Sequence, residues 1–287
     1  MVRLRVLVMV LLASAGGCET PAPRPGGVPR RIVSLAPSIT EIVYALGAGE
    51  RLVGVCSQCN FPAEAAGLPR VGGYLVPSVE MVLAARPDLV VVVPSPGNRE
   101  PVRAIERAGI PILVVGERSL AELWASMREI ARALELGDAG ERLVTRVSHQ
   151  LDVVRARVAA LPVRRVLVVV DHDPLVAVGG GTLQDELLTL AGGANVARDA
   201  GSVWPTITLE VVVERAPEVI VDAGMSGTGG AERLFAGLTT VPAVRDGRIV
   251  RLADDTLFRA GPRVPEAAAA LGAAIHPEAF AAAARAG

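Results

Sequence analysis

The chain has 287 residues, 29 basic against 30 acidic, and 51% hydrophobic residues of which few are aromatic. Near-neutral charge excludes a basic nucleic-acid surface. Every basic residue is arginine, which excludes Schiff-base chemistry and a P-loop lysine. Three cysteines are too few for a disulfide scaffold, so the fold rests on a core of Val, Leu and Ala.

Residues 1–17 open with Arg3 and Arg5, continue through an apolar run from Val6 to Ala13, and end in small residues before Cys18. The run is too short for a permanent membrane span and reads as a secretory signal. Ser14-Ala15-Gly16-Gly17-Cys18 resembles a bacterial lipobox, which makes Cys18 the expected lipid-bearing N-terminus of an extracytoplasmic protein. Residues 18–29 carry four prolines and read as a flexible tether.

The body reads as strand-helix alternation. Strands are expected at Ile32–Leu35, Leu52–Val55, Leu89–Val93 and Ile112–Val115, with helices at Ser38–Leu46, Ser78–Ala85 and Val102–Ala108. Residues 30–118 therefore form an α/β lobe with a mostly parallel sheet. Residues 119–161 carry two apolar stripes, interrupted at Gly137–Gly140, and read as a helical connector. Its second helix, about 20 residues or roughly 30 Å long, is long enough to bridge two lobes. Such a bridge favours small rocking over wide domain closure. Residues 162–287 read as a second lobe.

The second lobe repeats the first. Ser78-Val79-Glu80-Met81-Val82 and Arg86-Pro87-Asp88-Leu89-Val90-Val91 reappear at an offset of 130 as Thr208-Leu209-Glu210-Val211-Val212 and Ala216-Pro217-Glu218-Val219-Ile220-Val221. Glu41–Gly47 likewise matches Glu186–Gly192, and Ile32–Leu35 matches Val166–Val169. The fold class is α/β: two Rossmann-like lobes joined by a long rigid helix. Tyr74 and Trp204 stand at equivalent places, six residues before Glu80 and Glu210, in a chain with only eight aromatics. Loops at strand ends gather at a cleft, so a flat apolar ligand is expected between these rings. Glu80 and Glu210 fall in the first turns of helices capped by Ser78 and Thr208, where the dipole favours a carboxylate. As a matched pair they also suit docking on a two-fold partner.

The segments Arg31-Ile-Val-Ser-Leu-Ala-Pro-Ser-Ile-Thr-Glu41, Val53-Gly54-Val55, Asn60-Phe61-Pro62, Trp204-Pro205 and Phe258-Arg-Ala-Gly-Pro-Arg263, with the two Glu segments, carry a resemblance from about Arg31 to Ala274. The chain resembles the substrate-binding lipoproteins of ABC importers, in the helical-backbone metal-receptor group, and within it the vitamin B12-binding members. Gln58 stands where those members carry tyrosine. The resemblance implies a monomer that delivers a metal chelate to a permease powered by a separate ATPase subunit. Cobalamin or a related corrinoid is the first expectation, and a ferric siderophore or haem the second. Ligand contacts are expected at Tyr74, Trp204, Gln58, Asn60, Phe61, Phe258 and Arg259, and the resemblance implies permease contacts at Glu80 and Glu210. The chelate is cargo, so no resident cofactor and no catalytic set are expected.

Other motifs have competing readings. Cys56 and Cys59 have CxxC spacing without a second ligand pair; a structural disulfide, free buried thiols, a ligand contact or a redox pair all remain open. Asp171-His172-Asp173 reads as a solvated loop after a strand, or as part of a metal or polar site. Gly179-Gly180-Gly181-Thr182 lacks the lysine of a phosphate loop and reads as a turn capping a helix. Arg263, like Arg259, is a candidate anchor for ligand carboxylates or amides. The rival class is an enzyme, either a thiol oxidoreductase through Cys56 and Cys59 or a metal hydrolase through Asp171 and His172.

Overall fold

The structure is a computed structural model describing residues 27–224, 230–252 and 255–281. The signal, Cys18 and most of the tether lie outside the described residues. The first lobe runs β1 (Ile32–Ser34), α1 (Pro37–Ala45), β2 (Leu52–Val55), α2 (Val79–Ala84), β3 (Leu89–Val92), α3 (Arg99–Arg107) and β4 (Ile112–Val114). The chain continues through α4 (Leu120–Ala133) and α5 (Gly137–Val158). The second lobe runs β5 (Arg164–His172), β6 (Leu175–Ala177), α6 (Leu183–Leu190), β7 (Gly193–Asn195), α7 (Leu209–Arg215), β8 (Val219–Asp222), α8 (Gly230–Phe235), α9 (Pro242–Arg245) and β9 (Ile249–Arg251), then α10 (Val264–Ile275) and α11 (Pro277–Phe280).

The first sheet is parallel, in the order β2-β1-β3-β4. The second has the same parallel path, β7-β5-β8-β9, with β6 added antiparallel to the far end of β5. The repeat holds at the level of register. Ile32 pairs with Leu89 as Val166 pairs with Val219, and Val33 with Val90 as Leu167 with Ile220. It holds in the backbone too. Arg86 and Ala216, each before a proline, are both left-handed, at φ 47° and 44°. Proline disfavours a right-handed residue ahead of it, so both helices stop there. A shared staple accompanies this turn. Arg31 donates its backbone N–H to Asp88 and its Nε to the Arg86 carbonyl; Arg165 does the same to Glu218 and the Ala216 carbonyl.

The connector differs from the sequence reading in one respect. The break falls at Leu134–Leu136, where Glu135 is left-handed at φ 58°, and Gly137–Gly140 form the first turn of α5. Gly140 is needed for contact rather than for a break: a Cβ there would lie 2.5 Å from Ala131 Cβ, so only glycine lets α4 and α5 lie this close. Asp171-His172-Asp173 also differs from the expected solvated loop. β5 continues through His172 and turns at the cis Asp173-Pro174 bond into β6. The pairing with β6 satisfies backbone groups that a solvated loop would have left to water.

One apolar core is continuous from Ile32, Ile39 and Val91 in the first lobe, through Met127, Ile130 and Leu143 of the connector, to Val166, Leu187 and Leu271 in the second. Smaller clusters back each sheet on its outer side. Within α1 sits Glu41, 3% exposed. A buried carboxylate needs a charged partner. Arg263, at the start of α10, donates to it twice, at 3.0 and 2.6 Å. The counterpart of Glu41 in the repeat, Glu186 of α6, accepts the Leu120 N–H at the start of α4 at 2.8 Å. Removing one member of a buried pair leaves an uncompensated charge, so Arg263→Ala is expected to cost roughly 3–5 kcal/mol in urea unfolding. A loss under about 1 kcal/mol, the range of exposed pairs, would show that the pair does not tie the lobes.

Candidate functional site

Two adjoining hollows, of about 580 and 360 Å³, lie at the carboxyl ends of the strands between the lobes. They share Tyr74, Glu117 and Phe258. The larger also takes in Ser38, Gln58, Asp255 and Arg259; the smaller takes in Val93 and Pro94 after β3, Thr182 and Gln184 around the start of α6, and Trp204.

Tyr74 is fixed at both ends. Its backbone N–H donates to Gln58 Oε1 at 3.0 Å, and its hydroxyl donates to Glu117 Oε1 at 3.2 Å. Glu117 follows β4 by three residues, and its other oxygen accepts the Ser38 hydroxyl at 2.9 Å. Burial raises the Glu117 carboxyl pKa, and the part-buried Glu122 carboxylate adds to that; the two hydroxyl donors pull it back only in part. Burial also raises the Tyr74 phenol, and the Glu117 carboxylate reinforces the effect.

Gln58 sits on a loop pinned by a disulfide. Cys56 and Cys59 are bonded to each other and fully buried, which resolves the CxxC readings towards a structural disulfide. Arg70 closes the loop from below by donating to the Cys56 and Cys59 carbonyls at 3.1 and 2.5 Å. The turn directs Asn60 and Phe61 away from the hollows, which they do not line. Phe61 instead carries the Arg263 guanidinium, 3.9 Å from its ring centroid. Asn60 and Phe61, expected as ligand contacts, therefore stand outside the lining of the two hollows. Arg263 is likewise committed to Glu41 rather than to the hollows.

On the opposite wall, Trp204 is 42% exposed and packs on Phe258 with ring centroids 6.2 Å apart. Its loop crosses Gly179, whose N–H donates to the Val203 carbonyl at 3.0 Å. A Cβ at Gly179 would lie 1.9 Å from the Ser202 carbonyl oxygen, so the glycine run exists to let the Trp204 loop approach. Thr182 then caps α6 by accepting the Asp185 N–H. Gln184 donates to the Leu257 carbonyl and so holds the turn bearing Phe258. Arg259 is 6% exposed and forked onto Asp255, which lowers the Asp255 carboxyl pKa.

The remaining candidates lie elsewhere. Glu80 and Glu210 are exposed in the first turns of α2 and α7. Ser78 caps its helix through the Met81 N–H, whereas the Thr208 hydroxyl bonds Glu210 and lowers its carboxyl pKa, leaving α7 without a side-chain cap. His172 pairs with Asp222 at 3.0 Å, under Gly224 and Gly230, and lines neither hollow. Sequence reasoning missed Glu117, Ser38 and Asp255. Only Glu117 left a signal, as a carboxylate just past the end of an all-apolar strand.

The periplasmic binding protein family model matches residues 32–256, and the chain belongs to that family, whose members are extracytoplasmic solute-binding proteins. It is 28% identical over 243 residues to the vitamin B12-binding protein of Pectobacterium atrosepticum, covering 83% of this chain and 85% of that one. The periplasmic haem-binding protein RhuT from Roseiflexus sp. RS-1 superimposes with a TM-score of 0.78 at 34% identity, over 87% of this chain and 99% of that one. The periplasmic vitamin B12-binding protein BtuF of Vibrio cholerae gives 0.77 at 25% identity, over 88% and 98%.

The raised Glu117 carboxyl has a consequence for stability. Between its ordinary value of 4.5 and its raised native value, the unfolded chain has released the proton and the native chain has not. Stability therefore falls as the pH rises through that window and stays reduced above it. Glu117→Gln is expected to raise the melting temperature at pH 8, with the gain gone by pH 4. A gain of equal size at both values would locate the effect outside this titration.

Proposed function

We propose that this periplasmic binding protein captures cobalamin or a related corrinoid in the interlobe hollows and hands it to an ABC permease. The observation that carries this reading is the pair of aromatic walls, Tyr74 from one lobe and Trp204 on Phe258 from the other, around one polar floor. A corrin ring offers apolar faces to the rings and an amide-rich edge to Gln58 and Glu117. The mechanism is binding and release. ATP hydrolysed by a separate subunit supplies the energy, and the chain itself carries out no chemistry. In this reading the signal is cleaved, Cys18 bears the lipid anchor, and the protein works as a monomer.

Glu80 and Glu210 would dock the permease. They occupy matching places on the two lobes, and exposed apolar side chains flank them, Met81 and Leu83 on α2 and Val213 on α7. The second reading is haem. It is favoured by the 34% identity to a haem-binding protein and by the Tyr74 phenol, since tyrosine oxygen can ligate ferric iron. It ranks second because burial and Glu117 hold that phenol in its protonated form. A ferric siderophore is the third cargo to compare.

Calorimetric titration of the mature chain with cyanocobalamin, hemin and a ferric siderophore tests the cargo. Cyanocobalamin is expected to bind at micromolar affinity or tighter. Tyr74→Ala and Trp204→Ala should each weaken it by roughly 1–3 kcal/mol, the range of base–aromatic stacking contacts. Unchanged affinity in both variants would remove the aromatic walls from the site. Reversing Glu80 and Glu210 to arginine should abolish uptake while leaving ligand affinity intact; lost affinity would place both residues in ligand binding instead.

A further inference from the structure

Every arginine that lines the hollows already has a carboxylate of the chain. Arg259 is forked onto Asp255, with Glu41 at 3.8 Å from its remaining nitrogen. Arg118 is held by Glu122 through its backbone N–H, Nε and Nη2. Glu117 is differently placed. Its two hydrogen bonds come from neutral hydroxyls, and the charged group nearest in effect is another carboxylate, Glu122. A carboxylate offers about four acceptor sites, so two remain for a ligand. Among the described residues, the charge left uncompensated in the hollows is therefore negative.

Building on the corrinoid reading, we infer that the cleft selects metal chelates whose edge presents hydrogen-bond donors, such as primary amides, over those whose edge presents carboxylates, with Glu117 as the residue that enforces the choice. A ligand amide N–H completes Glu117. A ligand carboxylate meets a like charge on a half-buried floor, and among the described residues each arginine lining the hollows is already paired with a carboxylate, which disfavours the complex. Asp255 contributes by keeping Arg259 occupied.

The test uses two pairs of probes that differ in edge chemistry on one ring. Dicyanocobinamide carries amides where dicyanocobyrinic acid carries carboxylates, and the bis-amide of hemin is compared with hemin. For the native chain the amide member of each pair is expected to bind at least tenfold more tightly. Glu117→Gln should narrow that ratio at least fivefold, chiefly by strengthening the carboxylate member. Asp255→Asn should strengthen the same member by releasing Arg259. Gains for one ligand beside losses or no change for the other cannot come from a misfolded variant. Equal or tighter binding of the carboxylate members overturns the inference, and a ratio unmoved by Glu117→Gln removes Glu117 from the choice. If only the hemin pair binds, the corrinoid reading fails and that pair decides the inference by the same rule. Silence from all four probes overturns the tetrapyrrole reading, and the inference falls with it.

Discussion

The Glu41 carboxylate is buried inside an apolar helix, and the two lobes are arranged around the need to neutralise it. The arginine that does so lies 222 residues away, at the start of α10, and itself rests on the Phe61 ring. The equivalent glutamate of the second lobe makes the complementary bond, to the first peptide of α4. Each lobe thus holds the start of the helix that follows the other lobe's last strand. The continuous core beneath these bonds leaves no polar seam along which the lobes would part. Such framing opposes wide parting of the lobes and favours a preformed surface over closure.

Within that frame the site is one connected polar chain. The disulfide loop presents Gln58, Gln58 fixes the backbone of Tyr74, the Tyr74 hydroxyl meets Glu117, and Glu117 meets Ser38 at the start of α1. Glu41, three residues further along α1, reaches the Arg263 end of the Phe258–Arg263 segment. The groups that define the cleft floor and those that join the lobes therefore hang from the same helix. Electrostatics follows from this economy of charge: the arginines are spent on internal carboxylates, and the acid left over faces the hollows.

What was legible in the sequence was local or periodic. The two lobes appeared through the offset of 130, which the register of both sheets and the paired left-handed turns at Arg86 and Ala216 reproduce. Tyr74, Trp204, Gln58 and Phe258 line the hollows, a place the sequence indicates because a loop's position between strand and helix is written in its neighbours. The resemblance to importer-type binding proteins carried the fold class and family, both of which stand. What was not legible depended on long-range pairing. Nothing near Arg263 announces Glu41 as its partner, and nothing near Asn60 and Phe61 announces that the loop turns them from the cleft. Asp171 and His172 looked like a loop because their strand partner, β6, is only three residues long.

The reciprocal glutamate bonds carry a further consequence for assembly. Cut between the repeats, either half would expose its share of the central core together with one unpaired glutamate and one open helix start. Those are the two sides of a self-complementary contact, in which site i of one copy meets site j of the next and the reverse. The intact chain is in this sense a homodimer made covalent, with α5 as the strut that fuses its two copies. Fusion frees the copies to diverge, and the cleft shows what that freedom permits: one wall built on tyrosine and acid, the other on tryptophan and phenylalanine.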